Sequence, residues 1–185
     1  MRAYQVVTEA NIADTISTYV KHQSMTVTEE QLTKTLIRMS CPGRNNDYIN
    51  IVIDFSSRSI CNTHQAGDGE PIEGPRCVHG PEAWLEGLRQ KGWTLATILI
   101  ILLAAHRCDT TASLLGQGDN QVIVLRIPSQ RYVQERKLPP DEYTKQFLRV
   151  LEDICTASGI VIKVPESWRS RRLLEYGRRY YLDGV

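Results

Sequence analysis

Leu32, Leu36, Ile37 and Met39 recur at helical spacing behind Thr28-Glu29-Glu30-Gln31, which spells a capping box. A helix is predicted there, stopped by Cys41-Pro42-Gly43, with polar loop residues up to Asp47. Tyr48 to Phe55 is dense in β-branched and aromatic residues and predicts a buried strand that ends in an acid, Asp54. Ser56 to Pro81 is rich in glycine and proline and predicts a mobile loop. Trp84 to Gly92 leads into an apolar run, Trp93 to Ala105, broken only by threonines. A membrane span needs roughly 20 apolar residues, so this shorter run predicts a buried core helix. Ala112 to Leu115 and Val122 to Ile127 read as two short strands joined by a turn over residues 116–121, a hairpin pattern. Pro139-Pro140 precede a helix from about Asp141 to Ala157, with Gly159 as its stop. Ile160 to Val164 predicts another strand and Tyr176 to Leu182 a last one. This order predicts an α+β fold, an antiparallel sheet packed against helices.

Composition adds little to that picture. The 185 residues suit one domain with a sizeable core, and no repeat or linker divides them. A net charge of +1 gives no global sign of a nucleic-acid partner. Locally, five arginines at 169, 171, 172, 178 and 179 read either as a solvated helix face or tail, or as phosphate contacts. The five cysteines (41, 61, 77, 108, 155) form no CxxC pair and imply a reducing compartment. Cys61 with His64, and Cys77 with His79, are close in sequence, but their spacing matches no standard zinc module. The mixed, polar opening residues spell no secretory leader.

Two acids carry the candidate chemistry. Asp54 ends an apolar strand, and Asp119 sits at the tip of a tight apolar hairpin. Strand ends and turn tips are where a rigid sheet presents polar groups to a ligand. Side by side, two carboxylates hold a magnesium pair that stabilises both the attacking and leaving oxygens of a phosphoryl displacement. The alternative is plain turn chemistry, for which Asp-Asn in a hairpin is well suited.

The spelling of the turn adds to this. Gly116-Gln117-Gly118-Asp119-Asn120-Gln121-Val122-Ile123 resembles the Gly-Asp-Asn-Gln signature of the large (L) RNA-directed RNA polymerases of non-segmented negative-strand RNA viruses. Leu85-Glu86-Gly87-Leu88-Arg89-Gln90-Lys91-Gly92-Trp93-Thr94 resembles motif B of that family, in the right order and at about the right spacing. Arg2 to Glu9 and Met25-Thr26 resemble the segment before motif A, and Ile51 to Phe55 resembles motif A. Gly159 to Lys163, Glu166 to Ser170 and Glu175-Tyr176-Gly177 resemble motifs D and E. The resemblance covers nearly the whole chain, with bornavirus-like or rhabdovirus-like polymerases as the nearest subgroup. It implies a polymerase palm fragment: a pre-A segment at 1–47, motif A at 48–65, motif B at 82–105, motif C at 111–127 and the D/E region at 141–185.

The resemblance implies roles. Asp54 and Asp119 would bind Mg2+ or Mn2+, with Asn120 beside them in the site. Gly87 and Gly92 would let the motif B backbone bend close to template and nucleotide. Arg89, Gln90 and Lys91 would touch phosphate, base or ribose, whose 2′-hydroxyl distinguishes RNA from DNA. Gly118 and Gln121 complete the nucleotide- and template-binding set. Lys163 is the candidate motif D lysine that protonates the leaving pyrophosphate, or else an exposed strand lysine. Trp93 reads as helix packing. The implied partners are RNA template and product, nucleoside triphosphates, a phosphoprotein and nucleoprotein-coated RNA, with no membrane. The implied location is intracellular, in the virion and the host cytoplasm or nucleus.

The chain also departs from the family pattern. The tryptophan expected shortly after Asp54 is absent, and the stretch from there to Cys77 is shortened. Ala83-Trp84 stands where the family prefers two glycines, which a close backbone approach requires. A second expectation follows: a catalytically inactive, endogenised viral relic that acts by binding RNA or a protein partner.

Overall fold

The computed structural model describes residues 7, 9–17, 19–40, 48–56, 90–118, 120–127, 139–158, 160–163 and 167–183. After a π-helical stretch at Ile12–Ser17 come α1 (Glu29–Ser40), β1 (Tyr48–Ser56), α2 (Gln90–Arg107), β2 (Ala112–Gln117) and β3 (Asn120–Arg126). Then follow α3 (Pro140–Ala157), β4 (Val161–Ile162), β5 (Trp168–Ser170), β6 (Leu173–Tyr176) and β7 (Arg179–Leu182). The fold is α+β, with antiparallel pairing throughout the named strands.

The start of α1 is set by a reciprocal cap. The Gln31 amide N–H donates to Thr28 Oγ1 at 3.3 Å, and the Thr28 N–H donates to Gln31 Oε1 at 3.0 Å. Two helix-end donors that would otherwise lack partners are thereby satisfied. Thr28→Ala is expected to cost about 1 kcal/mol, seen as a lower urea midpoint at unchanged slope. A midpoint equal to that of the wild type would show that water serves the N–H groups as well.

β1 is the central strand. It pairs with β3 along one edge, and on the other edge with β5 (Asn50 to Val52) and then β4 (Phe55, Ser56). Because side chains alternate across a strand, Ile49, Ile51, Ile53 and Phe55 enter one core with Ile98 and Ile101 of α2 and Phe147 and Leu151 of α3. Val52 enters a second core on the opposite face, with Leu36 and Met39 of α1 and Leu174 and Tyr176 of β6. The sheet is therefore sandwiched between α2 and α3 on one side and α1 with the β6–β7 hairpin on the other.

α2 buries Thr94, Thr97, Ile98, Ile101, Ala104 and Ala105, while Leu99 and Leu103 are exposed. No helix among the described residues is long and apolar enough to cross a membrane. α3 begins one residue earlier than predicted, at Pro140, whose ring suits the first helical position. It buries Tyr143, Phe147, Leu151 and Ile154, a stripe at helical period. Burial pushes the Cys155 thiol up to about 11 and raises that of Cys108, so both remain protonated core residues.

Several expectations are corrected. β1 does not end at Asp54 but runs on to Ser56, because β4 supplies a fresh partner. The predicted last strand is a hairpin: Gly177 (φ 58) and Arg178 (φ 63) turn the chain between β6 and β7. The arginine cluster accordingly lies on strands and turns rather than a helix. Arg172 pairs with Asp183 and Arg179 with Glu29, both in solvent. The motif C strands close up to a two-residue connection, Gly118-Asp119, since Gln117 and Asn120 pair directly. Ser56, the first residue of the predicted loop, is the last residue of β1, and the rest of that predicted loop, to Pro81, lies outside the described residues with the Cys61, His64, Cys77 and His79 set.

Candidate active site

Asp54 stands opposite Asn120 in the β1–β3 ladder. Residues facing each other in such a pair have Cα atoms about 4.5–5.5 Å apart. Both side chains leave the sheet on the face that Val52 and Val122 share, one step beyond the end of that core. Asn120 is exposed there.

The other edge of β1 changes partner at this point. β5 pairs up to Val52 and β4 begins at Phe55, leaving Asp54 between them. The Asp54 N–H donates weakly to Ser167 Oγ at 3.4 Å, and the Asp54 carbonyl accepts the Lys163 N–H at 2.8 Å. Ser167 Oγ in turn donates to the Lys163 carbonyl at 2.8 Å. This arrangement brings Lys163 Nζ to 3.4 Å from Asp54 Oδ2. The side chains are only partly exposed, 31% for Lys163 and 19% for Asp54, so solvent screens the pair less than a surface one.

The hairpin that carries Asp119 is held from the α2 side. Gly118 has φ 63, a left-handed conformation that glycine adopts freely. It is buried despite its place in a turn, and its N–H donates to Thr94 Oγ1 at 2.7 Å. Gln121 is fully buried, and its Nε2 donates to Thr97 Oγ1 at 2.9 Å and to the Gly118 carbonyl at 3.2 Å. Gly116 faces Gln121 across the ladder, and the Gln121 amide lies across the space a Cβ would fill. On the outer edge of β2, Gly116 donates to the His22 carbonyl at 2.9 Å and accepts from Ser24 N–H at 3.1 Å. Ser24 Oγ, Tyr176 Oη and Gln117 Oε1 then tie the hairpin to β6. Burial raises the Tyr176 phenol above its ordinary pKa, against the hydrogen bond with Ser24, so it stays protonated.

The predicted site residues thus fall into groups. Asp54, Asn120 and Lys163 come together at one end of the sheet. Gln90 starts α2, is exposed, and lies against the Gly118 turn. Lys91 is tied to the N-terminal segment: its N–H donates to the Glu9 carboxylate at 3.1 Å and its Nζ to the Glu9 carbonyl at 3.3 Å. Gly118 and Gln121 spend their polar groups inside the fold, on α2 and on each other. Gly92 lies inside α2, and a Cβ there would meet Ile12 Cδ1 at an ordinary 3.6 Å. Gly87, Arg89 and Asp119 lie outside the described residues. Thr94, Thr97 and Ser167 escaped the sequence reading. The signal for the two threonines was present: hydroxyls at i and i+3 share a helix face in an otherwise apolar run.

A family model described as the Mononegavirales RNA dependent RNA polymerase matches residues 51–185. The chain is 40% identical over 126 residues to the RNA-directed RNA polymerase L of Lettuce big-vein associated virus (isolate Japan/Kagawa), covering 63% of the chain and 6% of that protein. It is 27% identical to the RNA-directed RNA polymerase L of Maize mosaic virus (isolate Maize/United States/Reed/2005), covering 100% of the chain and 12% of the relative. It is 37% identical over 110 residues to the RNA-directed RNA polymerase L of Sendai virus (strain Z), covering 58% of the chain and 5% of the relative. The Maize mosaic virus match runs over 237 residues against a chain of 185, so that relative has stretches without a counterpart here.

Proposed function

This chain belongs to the Mononegavirales RNA-dependent RNA polymerase family, and from that membership we propose that it is the palm segment that joins nucleotides to a growing RNA strand by two-metal transfer. The reading rests above all on one observation: the ladder register sets Asp54 directly across from Asn120, the residue after Asp119. Asp54 thereby lies beside the strand that follows the Asp119 turn, at one end of one sheet.

The donors present suit a hard cation. Asp54 offers a carboxylate and Asn120 an amide oxygen, at an edge that is partly open. Among the described residues no cluster of three His, Cys, Asp or Glu stands anywhere. Magnesium accepts such a sparse protein shell, because it keeps waters and substrate phosphates as its remaining ligands. Asp54 and Asp119 would hold the ions, which when bound stabilise the charge on the attacking and leaving oxygens. Lys163 holds an ammonium beside Asp54 and would give a proton to pyrophosphate as it leaves. Gln90, beside the Gly118 turn, would contact the nucleotide or template. Gly118 and Gln121 serve the site by fixing the turn. RNA and nucleoside triphosphates are the proposed substrates; a phosphoprotein and nucleoprotein-coated RNA are the proposed partners of the larger enzyme.

Calorimetric titration with manganese tests the reading. Weak binding by the wild type is expected to disappear in Asp54→Asn and in Asp119→Ala. Equal heats in all three proteins would remove both acids from a metal site.

A further inference from the structure

Resting on that reading, we infer that Thr94 is a positioning residue for the reaction: its hydroxyl fixes the turn that presents Asp119, and so sets the metal site from the helix behind it. The hydroxyl has two close oxygen and nitrogen partners, with Met25 Sδ farther off at 3.6 Å. It donates to the Gln90 carbonyl at 2.8 Å, in its own helix, and accepts the Gly118 N–H at 2.7 Å. Thr94 is fully buried, so no water replaces it as acceptor. The next peptide group is held as well. The Gly118 carbonyl, bonded to the Asp119 nitrogen, accepts from Gln121, which Thr97 anchors one helical turn after Thr94. The Gly118 N–H therefore refers the turn to α2 directly, and its carbonyl does so through Gln121 of β3, itself held by Thr97.

This arrangement is more than a hairpin needs. The β2–β3 ladder already pairs Gln117 with Asn120 and closes the connection without outside help. Turn tips ordinarily lie in solvent with their N–H groups hydrated. Here Gly118, one of the two connecting residues, is buried against a helix whose first residue, Gln90, also lies beside it. The geometry couples the start of α2 to the acid-bearing turn through one hydroxyl.

Three substitutions separate positioning from packing. Thr94→Val keeps the shape and removes the acceptor, while Thr94→Ser keeps the acceptor and removes a methyl group. Thr94→Ala differs from Thr94→Ser only by the hydroxyl oxygen, so that pair stands in if the valine variant does not fold. In the 185-residue chain, the Gly118 amide is expected to exchange hydrogen at least tenfold faster in Thr94→Val and Thr94→Ala than in the wild type or Thr94→Ser. Manganese affinity is expected to fall about tenfold in the same two variants and to return in Thr94→Ser. Wild-type affinity in Thr94→Val, or equal Gly118 exchange in Thr94→Ser and Thr94→Ala, overturns the inference and leaves the palm assignment standing. A wild-type chain that binds no manganese sinks the palm assignment itself and the positioning role with it.

Discussion

Purified by itself and given manganese, template and a primer, the 185-residue chain is expected to leave the primer unextended. The chain spans 6%, 12% and 5% of the length of the three relatives compared above. Phosphoryl transfer asks little covalent chemistry of a protein, so alignment of the 3′-hydroxyl with the triphosphate supplies most of the acceleration. The described residues bring one acid, Asp54, together with Asn120 and Lys163 at one sheet end. Loss of alignment forfeits on the order of 7–11 kcal/mol of barrier reduction, or about five to eight powers of ten in rate. Trp84 in place of a small residue before motif B, and the shortened stretch after Asp54, act in the same direction. The control is Asp54→Asn. Extension by the wild type that vanishes in this variant would show that the palm aligns its substrates unaided, and would end the inactive-relic reading.

The other large effect is expected from Gly116→Ala. A Cβ at residue 116 would fall within the Gln121 side chain, 2.6 Å from Nε2 and closer still to the rest of the amide. Gln121 is fully buried and held by Thr97 and by the Gly118 carbonyl, so it has no solvent to swing into. Overpacking a tight site costs about 1–3 kcal/mol, and pulling a buried amide off its partners adds roughly 1–3 kcal/mol. The sum, roughly 2–6 kcal/mol, is expected to lower the melting temperature by roughly 4–24 °C for a chain of this size. Gly118→Ala should be much milder. Its Cβ would meet the end of the exposed Gln90 side chain at 3.3 Å, leaving mainly the left-handed backbone cost of roughly 1–2 kcal/mol. A Gly116→Ala protein that melts with the wild type would mean that Gln121 has a second resting place.

Local signals were legible because they act within a few residues. The Thr28–Gln31 box, Pro140 at the start of α3 and the apolar stripes of α1 and α3 name their elements without help from the rest of the chain. The two acids and the motif spellings pointed to the same chemistry for the same reason: a strand and a turn each present what they carry. The family followed from those spellings too. Whether Asp54 ended its strand was not a local matter. β1 continues to Ser56 only because β4, more than a hundred residues on, returns to pair with it. That return also sets Lys163 beside Asp54, where sequence alone left it as either a site residue or an exposed strand lysine.

The sorting of the polar residues was likewise decided by tertiary structure. In the sequence Gln121 reads as a ligand contact and Thr94 and Thr97 as interruptions of an apolar helix. In the fold the three polar groups find one another, because a buried amide or hydroxyl needs a partner and the helix face behind the hairpin is the nearest source. Gly116 is required by the same packing, through a neighbour across the ladder that no local pattern reveals. What the sequence determined by itself was the helices α1, α2 and α3, the strand β1, the β2–β3 hairpin, their order and the family, since these depend on periodicity and spelling. What only the tertiary structure decided was which polar side chains are buried in hydrogen bonds and which stay exposed, since that depends on strand register and on the face each residue takes.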